Sequence, residues 1–322
     1  MSASLVLKVD VDTYRGTLEG VPRLLDLFAK EGIRATFLFS LGPDNTGKAV
    51  RRVLRKGFVR KVLSASPAAS YGFATMLYGT LLPAPDIGAK PEAVRRMREA
   101  KAAGHECGIH GWDHVGWHDR LPSMAREDVF ATFGRAAKRF ADVIGERARV
   151  AGAPGWTANG LSVEAYEAEG IEVSSDTRGG APFVPARADG APSKLLEIPS
   201  TLPTLDELLA VPLPGSGSQI ERACAFLRMR TERDRDDATG AADDAADVFD
   251  VHSIHTEIEG GPAFLAPFTR LISGWKSDGV RFVPFEELRR TVLSGRTWPV
   301  KRLTFTAVSG RATPVTTGEE RA

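Results

Sequence analysis

The chain has only two cysteines in 322 residues, Cys107 and Cys224. That leaves no disulfide framework, and a reducing compartment is expected. Net charge is nearly absent as well: 42 Lys and Arg against 41 Asp and Glu leave +1. Nothing in that balance calls for nucleic acid as a partner. No run reaches eighteen uninterrupted apolar residues, so no segment is expected to span a membrane. The opening MSAS leads straight into a strand-like run, without the basic stretch and apolar core of a secretory signal. The expectation is a cytoplasmic protein, with attachment to a membrane surface left open. There is no internal repeat, and no protein partner can be inferred.

What is present is an ordinary globular composition, 43% hydrophobic and 26% charged. The length suits one large α/β domain or two ordinary ones. Strand-like runs alternate with helix-like ones. LVLKVDV precedes VPRLLDLFAKEG, which has Pro22 near its start and Gly32 at its end. IRATFLFS, HECGIH, RARVAG, IEVSSD, LLEIPS, VFDVHSI and VRFVPF are the further strands, with helices between most of them. Such alternation predicts a mostly parallel α/β fold. Its count, seven or eight units, favours a (β/α) barrel of about seven strands over an open sheet, with chemistry collected at the strand C-terminal ends. Two stretches interrupt the pattern. Residues 42–85 are too long for a simple connection. Residues 231–247, TERDRDDATGAADDAAD, read as a mobile acidic loop. The main domain is expected over 1–295, followed by a partly disordered extension over 296–322.

Candidate chemical residues lie at the ends of these strands. Asp10 and Asp12 are two apart and can face one site. Two carboxylates can divide roles, one holding a metal and one taking a proton from water. A lone Asp in such a place is more often a helix cap or turn acid. His110 and His114, in HGWDH, have the i,i+4 spacing that puts two rings on one side of a helical turn. Two His and one Asp leave an open position for water, as catalytic zinc sites do. His105 and His118 compete for those roles, and Cys107 reads as a buried, inert thiol. His255 ends VFDVHSI. On extended backbone Glu257 and Glu259 would share its face and raise its pKa, which suits a general acid. His252 has the opposite parity and reads as structural. Asp176 and Arg178, in SSDTRGG, pair with each other or position a polar substrate.

Together these residues resemble the polysaccharide deacetylase (NodB-homology) family of metal-dependent amide hydrolases on a distorted (β/α) barrel. Asp10 and Asp12 match its first motif, His110 and His114 its His-x-x-x-His motif, and His255 in VHSIH its last. The third motif, Arg-x-Pro-Tyr, is reduced to Pro154, with Gly152 and Gly155 standing where Arg and Tyr would be. The strings DVDTYRGTLEGVPRLL, FSLGPDNTG, HGWDH, GAPGW, SDTRGGAPF, IPSTLPT and IHTEIEG are similar, more narrowly, to deformylases of phosphoundecaprenol-linked 4-formamido-arabinose. The likeness runs in order over about residues 5–290.

The resemblance implies the following roles. Asp12, His110 and His114 hold one divalent metal, zinc by default, with manganese or cobalt as alternatives. Asp10 is the base, and His255 protonates the departing amine. The N–H of Gly155 helps hold the oxyanion, with Trp156, Asp176, Arg178, Glu257 and Glu259 around the substrate. A lipid-linked amino sugar places the enzyme on the inner face of the cell membrane. The basic run with Arg51, Arg52, Arg55, Lys56, Arg60 and Lys61 would meet anionic headgroups or a phosphate. A solvated basic helix face is the plainer reading of that run. Two other functions fit the same residues: deacylation of another N-acyl sugar or small amide, and a non-catalytic binding module.

Overall fold

The computed structural model describes residues 3–49, 72–239, 249–311 and 313–320. The strands β1 (Ser4–Val11), β2 (Thr36–Ser40), β3 (Glu106–Gly111), β4 (Val150–Ala151), β5 (Val173–Ser174), β6 (Val184–Pro185), β7 (Leu196–Glu197), β8 (Phe249–His255) and β9 (Arg281–Phe282) lead up to a final pair, β10 (Val300–Thr306) and β11 (Val315–Glu320). The main sheet runs β7-β5-β4-β3-β2-β1-β8, and β9 pairs with β1. Every pairing in it is parallel. The sheet curls into a half-barrel with helices around it, the architecture expected from the alternating runs.

The helices are α1 (Val21–Glu31), α2 (Pro91–Ala102), α3 (His114–Arg120), α4 (Arg126–Ile144), α5 (Gly160–Ala168), α6 (Leu205–Leu209), α7 (Gln219–Thr239), α8 (Leu265–Ser277) and α9 (Phe285–Thr291). Helix α1 begins with Pro22 in its first turn and ends at Gly32, which takes the left-handed φ of 63° that favours glycine.

Both faces of the sheet are buried, and they differ. Leu5, Leu7, Val9 and Val11 of β1 face outward into the large core under the helices. Val6 faces inward and packs with Leu38, Val150, Val173 and Val251, closed from below by Phe285 and Leu288 of α9. Period-two alternation therefore sends Lys8 and Asp10 inward too, above that apolar floor. The register sets Lys8 beside Ser253 and Asp10 beside His255. The concave interior thus passes from apolar to charged toward the strand C-terminal ends.

Two expectations are corrected. Residues 231–239 of the acidic stretch continue α7, because no glycine interrupts them before Gly240. The extension after 296 is ordered where described: β10 and β11 form an antiparallel hairpin, and β10 runs parallel to β6. Its Val and Thr residues suit a pleated, half-buried surface, and Val315 and Thr316 are fully covered.

Candidate active site

Asp10 is the next-to-last residue of β1, and Asp12 follows the strand directly. His110 lies at the end of β3, and His114 is the first residue of α3. The two histidines meet through a strand–turn–helix rather than through one helical turn. Gly111 takes φ 127°, a value side-chain-bearing residues rarely adopt. Asp113 then caps α3, accepting the Gly116 N–H at 2.9 Å. The rings of His110 and His114 end up 5.2 Å apart.

Among the described residues, Asp12, His110 and His114 offer ligand atoms that all lie within 4.8 Å of one another. His110 Nδ1 lies 2.7 Å from the carbonyl oxygen of Gly152, which can only accept, so Nδ1 carries the proton. Its Nε2 lone pair then faces Asp12 Oδ1 at 3.1 Å, and that oxygen is buried without a hydrogen-bond partner. Two acceptors so close with no proton between them fit a cation. His114 Nε2 lies 3.6 Å from the other Asp12 oxygen. Burial pushes the Asp12 carboxyl up, but the positive charges of His114 and His255 work against it and hold it far below the usual carboxylate range. The donor set of two imidazoles and one carboxylate suits a divalent metal with an open position.

Asp10 is 2% exposed. Its Oδ2 lies 3.4 Å from Lys8 Nζ, and its Oδ1 lies 3.7 Å from His110 Nδ1 with no hydrogen-bond partner. His255 stands opposite on β8, with Nδ1 3.6 Å from Asp206 Oδ1. Burial alone would lower its pKa. The carboxylates of Asp206, Asp12, Asp10 and Glu259 prevail and raise it to about 9.

The extended arrangement expected after His255 is not found. The chain turns there, so Glu257 and Glu259 do not share the ring's face. Glu259 accepts the backbone N–H of His255 at 2.8 Å, while Glu257 accepts from the Thr13 N–H at 3.1 Å and from its hydroxyl. Burial raises both carboxyls to about 7. The acid beside the imidazole is Asp206, in the first turn of α6.

Of the two readings of Asp176 and Arg178, pairing with each other is corrected, because each has another partner. Asp176 accepts the Ala153 N–H at 2.6 Å, and burial together with Glu197 pushes its carboxyl well up. Arg178 meets Glu207 at 3.3 Å and lies 5.3 Å from the Trp156 ring. Trp156 is the hub of this wall. It is 2% exposed and holds φ 52°, directly after Gly155 at φ 60°. Its Nε1 donates to Ser200 at 2.9 Å. Arg311, from the turn joining β10 to β11, stacks over it at 4.6 Å and shares Glu207 with Arg178. A cavity of about 260 Å³ opens beside these groups, lined by His114, His118, Gly155, Asp206, Arg311 and Thr313. Arg51, Arg52, Arg55, Lys56, Arg60 and Lys61 lie outside the described residues.

Sequence reasoning missed Lys8, Asp206 and Arg311. Lys8 did leave a signal, a lysine inside an apolar strand two residues before an acid. Asp206 left none, because T-L-D-E reads as a capping box, and it is one: Thr204 accepts the Glu207 N–H at 3.4 Å. Arg311 sits in a segment with weak periodicity.

Acids and imidazoles gathered at the C-terminal ends of a curled parallel sheet place the candidate chemistry where such folds carry it. The polysaccharide deacetylase family model matches residues 5–174, and the chain belongs to that family. A relative from Shewanella sediminis (strain HAW-EB3), named "Probable 4-deoxy-4-formamido-L-arabinose-phosphoundecaprenol deformylase ArnD", is 32% identical over 305 residues, 95% of this chain and 91% of that one. A relative of the same name from Wigglesworthia glossinidia brevipalpis is 26% identical, over 85% of this chain and 88% of that one. Among solved structures, a Mycobacterium smegmatis protein assigned as a polysaccharide deacetylase aligns at TM-score 0.61, with 18% identity over 95% of this chain and 94% of that one. Puue allantoinase aligns at TM-score 0.57, with 18% identity over 89% of each. These two share the fold.

Proposed function

We propose that the chain removes the formyl group from an undecaprenyl-phosphate-linked 4-formamido-arabinose, releasing formate and the free amino sugar. The observation that carries the chemistry is the placement of Asp10 and His255 on neighbouring strands beside the Asp12–His110–His114 group. The choice of substrate rests on the name of relatives that match nearly the whole chain.

Asp12, His110 and His114 would hold one divalent ion, zinc by default and manganese or cobalt otherwise. The ion would supply Lewis-acid polarisation of the formamide carbonyl and of the attacking water. Asp10 accepts the water's proton at Oδ1, the oxygen left without a partner. The Gly155 N–H, at the left-handed turn before Trp156, helps hold the oxyanion. His255, kept protonated by Asp206, gives its proton to the departing amine as the C–N bond breaks. The sugar enters the cavity beside His114 and Gly155, where Trp156 and the arginines stacked on it form one wall.

The enzyme works at the inner face of the cell membrane. Among the described residues no helix is long and apolar enough to cross a bilayer. Phe73 and Leu81, 72% and 80% exposed, follow the basic run of residues 48–61 in the sequence and would supply apolar groups to an interface. Mass spectrometry of lipid-linked amino sugars after incubation with the metal-loaded protein tests the reaction. Loss of a formyl mass is expected, and loss of an acetyl mass instead would overturn the substrate. Cosedimentation with anionic liposomes, with and without residues 48–63, tests the membrane role. Binding that is unchanged by the deletion would sink it.

A further inference from the structure

Lys8 is fully buried in the middle of β1. A lysine there is costly to hide unless an opposite charge compensates it. Its ammonium has no hydrogen-bond partner, lies 3.4 Å from Asp10 Oδ2, and sits 4.9 Å from the Trp156 ring. Asp176 is a second acid within electrostatic reach.

The space for this ammonium comes from the neighbouring strand end. A Cβ built on Gly152 would fall 2.9 Å from Lys8 Cε, 3.3 Å from Lys8 Nζ and 2.5 Å from Leu38 Cδ1. Any side chain at 152 would therefore contend with Lys8 for the same volume. Gly152 also gives its carbonyl oxygen to His110 Nδ1. One residue thus fixes the imidazole's tautomer with its backbone and makes room for the lysine with its missing side chain.

We infer that Lys8 is a positioning residue for the base: it pins Asp10 Oδ2 so that Oδ1 is the oxygen presented to the water, and Gly152 is kept small to admit it. The inference rests on the proposed amide hydrolysis for its kinetic consequence alone. The charge compensation between Lys8 and Asp10 stands without it. Lys8 touches neither the water nor the amide. It acts through Asp10, so its effect must vanish when Asp10 cannot act.

The test is a cycle of Lys8→Met, Asp10→Asn and the double variant in the full chain. Lys8→Met keeps the length of the side chain and removes the charge. It is expected to lower kcat by about 10²-fold, near the low end for general-base catalysis. KM and the affinity for zinc, followed by competition with a chromophoric chelator, are expected to stay within about twofold, since no binding contact is removed. In the Asp10→Asn background Lys8→Met is expected to cost nothing further. Thermal melting of the metal-free proteins supplies a readout independent of turnover. Lys8→Met lowers Tm because Asp10 is left as a buried unpaired carboxylate, and adding Asp10→Asn restores it. Additive losses of kcat, or a Tm that does not recover in the double variant, overturn the inference. If the wild-type chain hydrolyses no formamide, the proposed function fails, and the melting cycle alone still decides the coupling of Lys8 to Asp10.

Discussion

His252 and His255 lie three residues apart on β8, both largely buried, and their surroundings drive them in opposite directions. The His252 pKa is lowered to about 3 by burial, reinforced by the charges of Arg178 and His255. Its ring packs edge-on against Trp275 at 5.7 Å. His255, three residues further toward the strand end and on the opposite face, is raised to about 9. Strand β3 repeats the contrast. His105, just before it, accepts the Ala35 N–H at Nδ1 across 3.1 Å, and burial lowers its pKa to about 4. His110, at the other end, turns to Asp12. Burial is common to all four, so burial does not make a histidine chemical. What differs is the company: apolar rings at one level, carboxylates at the strand C-terminal ends.

The sharpest way to break this contrast is to remove a group from the strand-end set. His110→Ala or Asp12→Ala deletes a proposed metal ligand, and activity should fall by at least about 10³-fold, the equivalent of several kcal/mol of lost polarisation. Titration with zinc should show weaker binding in the same variants. Full turnover after exhaustive chelation would contradict the reading. Asp10→Asn and His255→Ala should each lower kcat by about 10²- to 10⁴-fold with zinc still bound, because they remove proton transfer and leave the ligands intact. Unchanged turnover in both would end the proposed mechanism.

A smaller effect separates Asp206 from Glu257 and Glu259. A carboxylate beside an imidazole favours its charged form, so removing it lowers the pKa. In the proposed mechanism His255 must be protonated to donate, so activity is expected to fall as pH rises through its pKa. Asp206→Asn should move the alkaline limb of the pH–kcat profile to lower pH. In the loaded enzyme the ion takes up part of the charge of Asp12, so the wild-type limb should itself lie below 9. Glu257→Gln should leave the limb nearly in place, since Glu257 turns toward Thr13. A limb shifted as far by Glu257→Gln as by Asp206→Asn would show that the ring senses the general field and not its neighbour.

The half-barrel was legible because its strands are apolar runs bounded by helices, and parity on β8 was enough to separate His255 from His252. Asp10, Asp12, His110 and His255 were legible for the same reason, since they lie at or just past the ends of those runs, and His114 by its spacing from His110. Asp206 was not, because its partner lies 49 residues away and its local sequence is fully explained as a helix start. The error over Glu257 and Glu259 came from extending the strand beyond His255, where the chain turns. The hairpin of β10 and β11 was missed because its pairing with β6 spans more than a hundred residues. No local pattern announces such a contact.

The smallest expected effect tests the other side of the comparison. His105 does no chemistry; it satisfies one backbone N–H and fills space between Phe28 and Phe37, whose rings lie 5.7 and 5.1 Å away. His105→Leu keeps the volume and removes the acceptor, leaving the Ala35 N–H buried and unpaired. That should cost about 1–3 kcal/mol of stability, read from the urea midpoint at constant slope. The cost should shrink as pH falls from about 6.5 toward 4. There the unfolded wild-type histidine takes up a proton that the folded one refuses, which destabilises the wild type and not the variant. kcat and zinc affinity should stay within about twofold of wild type, since His105 sits a strand's length from the ligands on β3. A loss of kcat as large as that of His255→Ala would mean that the two levels of the sheet are coupled, and that the division between structural and chemical histidines does not hold.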